Sequence, residues 1–198
     1  MPAYINQSSE EFSHRIHIAN LPVDINAKQI REIFGQFGVI KGLFLKRRSC
    51  YDSPVFLSNP FVILTFEQRE SIDQLMSTRP HFIKDNELLL RRCLPLSRRY
   101  PYESYLTTTK ILVRTPQEHH QEILPKDDRI SRYFQACGGR ILRLERLEEQ
   151  TVLIEFDDYD PVDVCCLLRP HWINQQLIEV EKCMDERQAR RRVLFRQK

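Results

Sequence analysis

Apolar and polar positions alternate along the first half of the chain in a way that predicts strands and helices in turn. Four segments with period-two alternation or short apolar runs are predicted strands: 15–21, 39–46, 61–66 and 88–92. Apolar residues at helical spacing predict one helix between Asn26, a suitable N-cap, and Gly38, and a second over 67–78. The order βαββαβ predicts an α+β domain with a four-stranded antiparallel sheet and two helices on one face.

The second half of the chain predicts the same order of elements. Its predicted strands are 110–113, 140–146, 151–156 and 177–183, and its helices run from Pro125 to Gly138 and between Asp160 and Pro170. Segments 66–93 and 156–183 also align without a gap and share an opening Phe, an Asp, the run Arg-Pro-His-aromatic-Ile and a closing Cys. The repeat therefore predicts two ferredoxin-like domains in tandem.

The domain boundaries follow from the elements. The predicted organisation is a flexible N-terminus (1–13), a first domain (14–94), a linker (95–109), a second domain (110–184) and a basic C-terminal tail (185–198).

The composition of the chain is that of two small globular domains. Of 198 residues, 41% are hydrophobic and only 5 are glycine, and the net charge of +3 is too small to indicate nucleic acid by itself. No apolar stretch reaches the length of a membrane span, and the N-terminus lacks the apolar core of a signal peptide. We therefore expect a soluble intracellular protein.

Cysteine and histidine usage favours neither a metal site nor an enzyme. The cysteines are Cys50, Cys93, Cys137, Cys165, Cys166 and Cys183, without CxxC spacing or a histidine at zinc-finger spacing. We expect most of them to be buried free thiols in a reducing compartment, with no metal and no cofactor. His119 and His120 lie in a polar loop without a nucleophile or a third ligand, so no catalytic residue is predicted.

Side-chain alternation assigns the two faces of the first predicted sheet. Residues expected to face the helices are Ile16, Ile18, Leu43, Leu45, Val62, Leu64 and Phe66. The open face is expected to carry Arg15, His17, Phe44, Lys46, Phe61, Ile63, Thr65 and Arg91, with the arginines near its edges. Rings and cations on one open sheet can stack unpaired bases and hold phosphates. Alternatively, Phe44 and Phe61 cover one another or a partner chain, and the arginines are only solvated.

The residues on the first and third strands resemble the RNA recognition motif (RRM). The run IHIANL (16–21) is similar to the RNP2 hexamer of that family, and NPFVILTF (59–66) to its RNP1 octamer. Ile63 stands where a second RNP1 aromatic is usual, and Asn59 and Pro60 replace a basic-Gly pair. The resemblance implies that bases stack on the open face. The implied RNA-binding residues are Arg15, His17, Phe44, Lys46, Phe61, Ile63 and Arg91.

The same alternation predicts a different open face on the second domain. Its expected residues are Leu112, Glu145, Thr151, Leu153, Glu155, Glu179 and Glu181. Aromatic rings are absent from this set and carboxylates are frequent, so stacking and phosphate neutralisation are both missing. We interpret the second domain as a degenerate RRM that contacts protein, with weak RNA binding as the alternative.

Two further runs resemble the tandem RRMs of the heterogeneous nuclear ribonucleoprotein (hnRNP) A/B proteins. They are MSTRPH (76–81) and FDDYDPVD (156–163). In that family, two arginines of the first domain pair with two aspartates of the second and fix the domains side by side. The resemblance implies the pairs Arg79–Asp158 and Arg92–Asp160. Alternatively these are ordinary surface charges, each pair worth about 1 kcal/mol or less.

The linker and the tail carry aromatic and charged side chains to which the sequence assigns more than one role. The linker is either an ordered spacer or a segment that docks on a sheet or stacks bases. Its candidate residues are Arg98, Arg99, Tyr100, Tyr102 and Tyr105. The tail is a nonspecific phosphate-binding segment, a nuclear import signal or a solvated terminus. Its basic residues are Arg187, Arg190, Arg191, Arg192 and Arg196.

These observations predict a single-stranded RNA-binding protein of hnRNP type, acting in RNA processing or post-transcriptional regulation through its first domain. Single-stranded DNA is a second candidate ligand, and a nuclear location, with or without shuttling to the cytoplasm, is expected. The alternative is a protein–protein adaptor in a ribonucleoprotein complex. A U2AF-homology type of adaptor is disfavoured, because Arg79 to Phe82 and Arg169 to Trp172 are one residue too long for the Arg-x-Phe motif. Trp172 is instead expected to pack at the base of the last strand.

Overall fold

The structure, a computed structural model, describes residues 11–46, 60–95, 103–104, 106–116 and 122–183. These residues fall into two compact units, divided between Cys93 and Leu94, which we name the first and second units. Several features of interest lie outside the described residues: 1–10, Cys50, the arginines and tyrosines of the linker, His119, His120 and the basic tail. Among the described helices, none is long and apolar enough to cross a membrane.

The first unit has the predicted βαββαβ order with a small hairpin added before the last strand. Its elements are β1 (Arg15–Ala19), α1 (Ala27–Phe34), a 3₁₀ turn (Gly35–Phe37), β2 (Ile40–Lys46), β3 (Phe61–Phe66), α2 (Glu70–Ser77), β4 (Phe82–Ile83), β5 (Asn86–Glu87) and β6 (Leu89–Arg92). The main sheet is antiparallel in the order β2-β3-β1-β6, and β4 pairs with β5.

Local signals in the sequence explain where α1 begins and ends. Asn26 accepts a hydrogen bond from the Gln29 backbone N–H, and the Gln29 side chain accepts one from the Asn26 N–H, which forms a capping box. Gly38 ends this region with φ of 152°, a conformation that favours glycine. A Cβ atom at this position would lie 2.1 Å from Ser71 Oγ, so the close approach of α2 also requires glycine.

The core of the first unit lies between the sheet and the two helices. The strand residues predicted to face the helices in β1 and β3 are all buried, as are Ile30 and Phe34 of α1 and Ile72 and Leu75 of α2. Leu43 and Leu45 of β2 are half-buried, because β2 is an edge strand. Burial of this apolar layer is the main stabilising term, at about 25 cal/mol per Å² of apolar surface removed from water.

The second unit has the same architecture with one more strand in its sheet. Its elements are β7 (Lys110–Arg114), α3 (Asp127–Gln135), β8 (Ile141–Glu148), β9 (Thr151–Phe156), α4 (Asp160–Leu167), β10 (His171–Ile173) and β11 (Gln176–Cys183). The strands pair antiparallel in the order β10-β11-β7-β9-β8, so the short β10 extends the predicted four strands to five. The predicted α+β fold is confirmed in both units.

The end of the predicted linker packs on the second unit. The buried Glu103 carboxylate accepts hydrogen bonds from both Nη atoms of Arg169, each 2.7 Å long, and one from the Lys182 backbone N–H at 2.9 Å. Lys182 also donates from Nζ to the Leu106 carbonyl and forms a buried ion pair with Asp163 of α4. These contacts fix the segment from Glu103 against the end of β11.

The repeated run Arg-Pro-His-aromatic-Ile has a structural role in both units. His81 Nε2 donates to the Leu75 carbonyl at 2.8 Å, and His171 Nε2 donates to the Cys165 carbonyl at 2.7 Å, so each imidazole satisfies a carbonyl in the last turn of a helix. The following aromatic side chains point to solvent: Phe82 is 58% exposed and Trp172 is 55% exposed. Trp172 lies beside Leu177 at the start of the last strand, as predicted, but its side chain is largely exposed because His171 and Ile173 on either side of it supply the buried packing.

Candidate nucleic-acid interface

The open face of the first unit carries three adjacent rings, on β1, β2 and β3. The ring centroids of His17 and Phe61 lie 4.8 Å apart with planes tilted by 33°. Phe44 lies 6.4 Å from Phe61 at 52° and is 59% exposed. We name His17, Phe44 and Phe61 the aromatic platform. It offers flat apolar surface to solvent, which is what an unpaired base stacks on.

Strand register brings these residues together. Ile63 of β3 lies between His17 on β1 and Phe44 on β2, and Arg91 of β6 lies on the other side of His17, which makes one row across the sheet. Neighbouring residues in such a row project to the same face. Phe61 pairs with Lys46 in the next row. The structure therefore places these six predicted site residues next to one another.

Two cations flank the platform and a third is held by a neighbour. Lys46 Nζ lies 5.9 Å from the centroid of the Phe61 ring, within the range of a cation–π contact. Arg91 lies beside His17. Arg15 forms an ion pair with Glu11, and its guanidinium lies 5.2 Å from the centroid of the Phe12 ring. Arg15 must therefore exchange a carboxylate partner for any phosphate that it holds.

The contacts of Arg15 were not anticipated because Glu11 and Phe12 belong to the predicted flexible N-terminus. A signal was present in the sequence: Glu11 precedes Arg15 by four residues, which is the spacing of a favourable ion pair on one helical turn.

His17 is electrically neutral at physiological pH. Burial, and next the positive charge of Arg91, lower the pKa of the imidazole from 6.5 to about 4. Its Nδ1 atom is buried and has no hydrogen-bond partner among the described residues. A neutral ring suits stacking rather than phosphate binding, so the cations of the platform are Lys46 and Arg91.

The predicted charge pairs between the domains concern residues that already have partners inside their own units. Arg92 is buried and lies 2.7 Å from Asp73 Oδ1, and Arg79 Nε donates to the Met76 carbonyl at 2.7 Å. Asp158 Oδ1 accepts from the Asp160 backbone N–H at 2.7 Å. The pairing of Arg79 with Asp158 and of Arg92 with Asp160 remains a prediction.

The corresponding face of the second unit is chemically different. Leu112 and Leu153 lie on it, with Cys183, in an apolar cluster against which Leu147 packs. Arg114 donates to Glu179 at 3.0 Å and to Glu181 at 2.8 Å, so its charge is already neutralised. The residues lie on the face where alternation predicts them. That face is not open, however: Leu112, Leu153 and Cys183 are each no more than 2% exposed.

The remaining charges on this second face are also paired. Arg143 lies 2.9 Å from Glu145, and Lys110 lies 3.6 Å from Glu155. In the described part of the chain, no group of three or more His, Cys, Asp and Glu is placed to hold a metal ion. The candidate interface is therefore the platform of the first unit.

Comparison with known proteins identifies the family of the first unit. Residues 16–89 match the family described as the RNA recognition motif. The RNA-binding domain of Hrp1 in complex with RNA is 21% identical, covers 88% of this chain and 99% of its own, and has a TM-score of 0.35. RNA recognition domains 1 and 2 of Sex-lethal from Drosophila melanogaster are 14% identical, with 86% and 99% coverage and a TM-score of 0.38.

A third similar structure holds the N-terminal three RNA-binding domains of the yeast splicing factor Prp24, at 14% identity, 86% and 64% coverage and a TM-score of 0.33. Identities and TM-scores of this size say nothing about what this chain binds. The family match and the strand order together show that residues 16–89 form an RNA recognition motif domain, and that a second unit of the same fold follows it.

Proposed function

We propose that the protein binds single-stranded RNA on the aromatic platform of its first unit. The observation that carries this proposal is the pair of rings at the centre of the sheet, His17 and Phe61, 4.8 Å apart, with an exposed Phe44 beside them. Rings left in contact with water on one sheet cost solvation free energy in the free protein. Bases that stack on them recover it, at about 1–3 kcal/mol per base.

The flanking charges fit the same ligand. Lys46 and Arg91 lie on opposite sides of the rings, where a strand that stacks its bases on the platform carries its phosphates. Such contacts position the strand without specifying sequence, and they make binding salt-dependent. Single-stranded DNA offers the same bases and phosphates and is the second ligand that this surface accepts.

The second unit contributes protein contacts rather than RNA contacts in this proposal. Among the described residues, its four longer strands β11, β7, β9 and β8 carry no exposed ring, and Trp172 lies on the short β10 at the edge of the sheet. Arg114 is neutralised by Glu179 and Glu181. The resemblance to hnRNP A/B tandems supports a role in nuclear RNA processing or post-transcriptional regulation. The alternative function is a protein–protein adaptor in a ribonucleoprotein complex. The burial of the second sheet favours this alternative if the first sheet does not bind RNA either.

The test is a titration of the intact chain with a fluorescent pool of random single-stranded RNA at two salt concentrations. Phe61→Ala removes the central ring and should weaken binding by at least about tenfold. Phe82→Ala is a matched control, because Phe82 is an exposed phenylalanine of the same unit that lies outside the platform. RNA binding that is unchanged in Phe61→Ala would place the site elsewhere, and absence of binding would favour the adaptor.

A further inference from the structure

The turn before β1 places a carboxylate on the cation at one end of the aromatic platform. Residues 11–13 are helical, and they bring Glu11 into an ion pair with Arg15, four residues later. The Phe12 ring lies against the same guanidinium, with its centroid 5.2 Å from Cζ. One turn of the chain therefore engages both the charge and the flat face of Arg15.

Strand geometry puts Arg15 within reach of a nucleic-acid strand that stacks on the platform. Arg15 and His17 are two residues apart on β1, so their side chains project to the same face about 7 Å from each other. The neighbours of Arg15 across the sheet are Thr65 and, beyond it, Gly42, neither of which carries a ring. At this end the sheet therefore offers a cation for the phosphate of the next nucleotide, and no ring in that row for its base.

Glu11 does not satisfy Arg15 completely. The ion pair is made by one Nη atom, and the Nε atom is buried without a hydrogen-bond partner among the described residues. A buried N–H donor without a partner is unfavourable. A phosphate accepts hydrogen bonds from two guanidinium N–H groups at once, in the bidentate geometry that arginine favours. A phosphate is therefore a better partner for Arg15 than the Glu11 carboxylate in its present position.

We propose that residues 11–14 form an autoinhibitory gate on the platform, in which Glu11 occupies the position of an RNA phosphate on Arg15. This inference rests on the RNA binding proposed above. The side chains of Glu11 and Arg15 are 61% and 33% exposed, so their ion pair is weak and RNA can displace it. The gate therefore lowers the affinity for RNA by a modest factor and does not abolish binding.

The test is a double-mutant cycle of Glu11→Gln and Arg15→Gln in the full-length chain, read as affinity for the random single-stranded RNA pool. Glu11→Gln should raise the affinity at least about threefold at low salt, because Arg15 then meets phosphate without competition. Arg15→Gln should weaken binding about twofold or less while Glu11 is present, since the two charges cancel. In the Glu11→Gln background the same change should weaken binding about fivefold or more.

The salt dependence gives a second readout of the same contact. In Glu11→Gln the slope of log affinity against log salt should steepen by about 0.7, as expected for one more phosphate contact on a single strand. Glu32→Gln is the matched control, because Glu32 is an exposed carboxylate of α1, on the face of the sheet that the helices cover. Its effect on affinity should be additive with that of Arg15→Gln. An effect of Glu11→Gln that is equally additive would overturn the gate.

Phe61→Ala separates the gate from the platform. Wild-type binding that Phe61→Ala weakens, with additive effects at Glu11 and Arg15, would leave the proposed function in place and overturn the gate alone. Coupled effects at Glu11 and Arg15, with binding that does not respond to Phe61→Ala, would support the gate and overturn the platform as the binding site. Absence of RNA binding in both the wild type and Glu11→Gln would overturn both.

Discussion

Glu103 and Arg169 form a bidentate ion pair between the end of the predicted linker and the segment after α4. Both carboxylate oxygens accept hydrogen bonds of 2.7 Å from the guanidinium, and Glu103 is only 3% exposed. A third hydrogen bond, from the Lys182 backbone N–H, satisfies the same carboxylate. The second unit is therefore held together in part by a residue that precedes its first strand.

Substituting Glu103 with Gln should destabilise the second unit by about 3 kcal/mol, because the buried carboxylate is lost and the half-buried Arg169 charge is left with a weaker partner. Trp172 is the single tryptophan of the chain and belongs to this unit, so its fluorescence follows urea unfolding of the second unit alone. Glu149→Gln, at an exposed carboxylate of the same unit, is the matched control. A Glu103→Gln midpoint equal to that of the control would contradict the prediction.

His171 should make the second unit less stable in mild acid. Burial lowers the pKa of this imidazole from 6.5 to about 4, so the unfolded chain binds a proton between these pH values and the folded chain does not. Stability is therefore complete above pH ~6.5 and falls as the pH drops toward ~4, by about 2 kcal/mol between pH 7.5 and 5. Urea midpoints from Trp172 fluorescence measure it, and His171→Gln should flatten the pH dependence.

RNA binding should not respond to titration of His17 within the physiological range. The pKa of this ring, about 4, keeps it neutral from pH 5.5 to 8. We expect the affinity of the intact chain for RNA to stay within about twofold over that range at constant salt. Proton NMR of the His17 ring gives the pKa directly. A midpoint near 6.5 in the RNA-free protein would show that the ring is more hydrated than the structure indicates.

Two glycines in neighbouring turns of the first unit should respond oppositely to alanine. Gly38→Ala places a Cβ atom 2.1 Å from Ser71 Oγ at φ of 152° and should destabilise the first unit by about 2 kcal/mol or more. Gly35 has helical φ of −63° and no atom within 4 Å of an added Cβ, so Gly35→Ala should be neutral or stabilise by up to about 1 kcal/mol. Hydrogen exchange of the β3 amides compares the two variants, and equal effects would count against the close approach of α2 to the Gly38 turn.

Period-two alternation predicted the main strands and the faces of the first sheet because each strand there has one buried and one solvated side. The same rule placed Leu112 and Leu153 correctly but could not show that their face is buried, since alternation contains no information on a third layer. The docking of Glu103 was not predicted for a related reason. Its partner Arg169 lies 66 residues away, and no local pattern connects the two.

The exposure of Trp172 was not predicted, because a large apolar side chain beside a strand normally predicts burial. In this protein His171 and Ile173 supply that burial from either side, which leaves the indole in solvent. Ile173 is recognisable as apolar in the sequence, but the role of His171 depends on a backbone carbonyl of α4.

The imidazole–carbonyl bond links a histidine to the residue six positions earlier in both units. It fixes the number of residues between the end of the second helix and the short strand after it, so an insertion in this interval breaks the bond. The position of this histidine can therefore anchor a sequence alignment. Divergent sequences with this fold can be aligned from that position even where the residues on their open sheet faces differ completely.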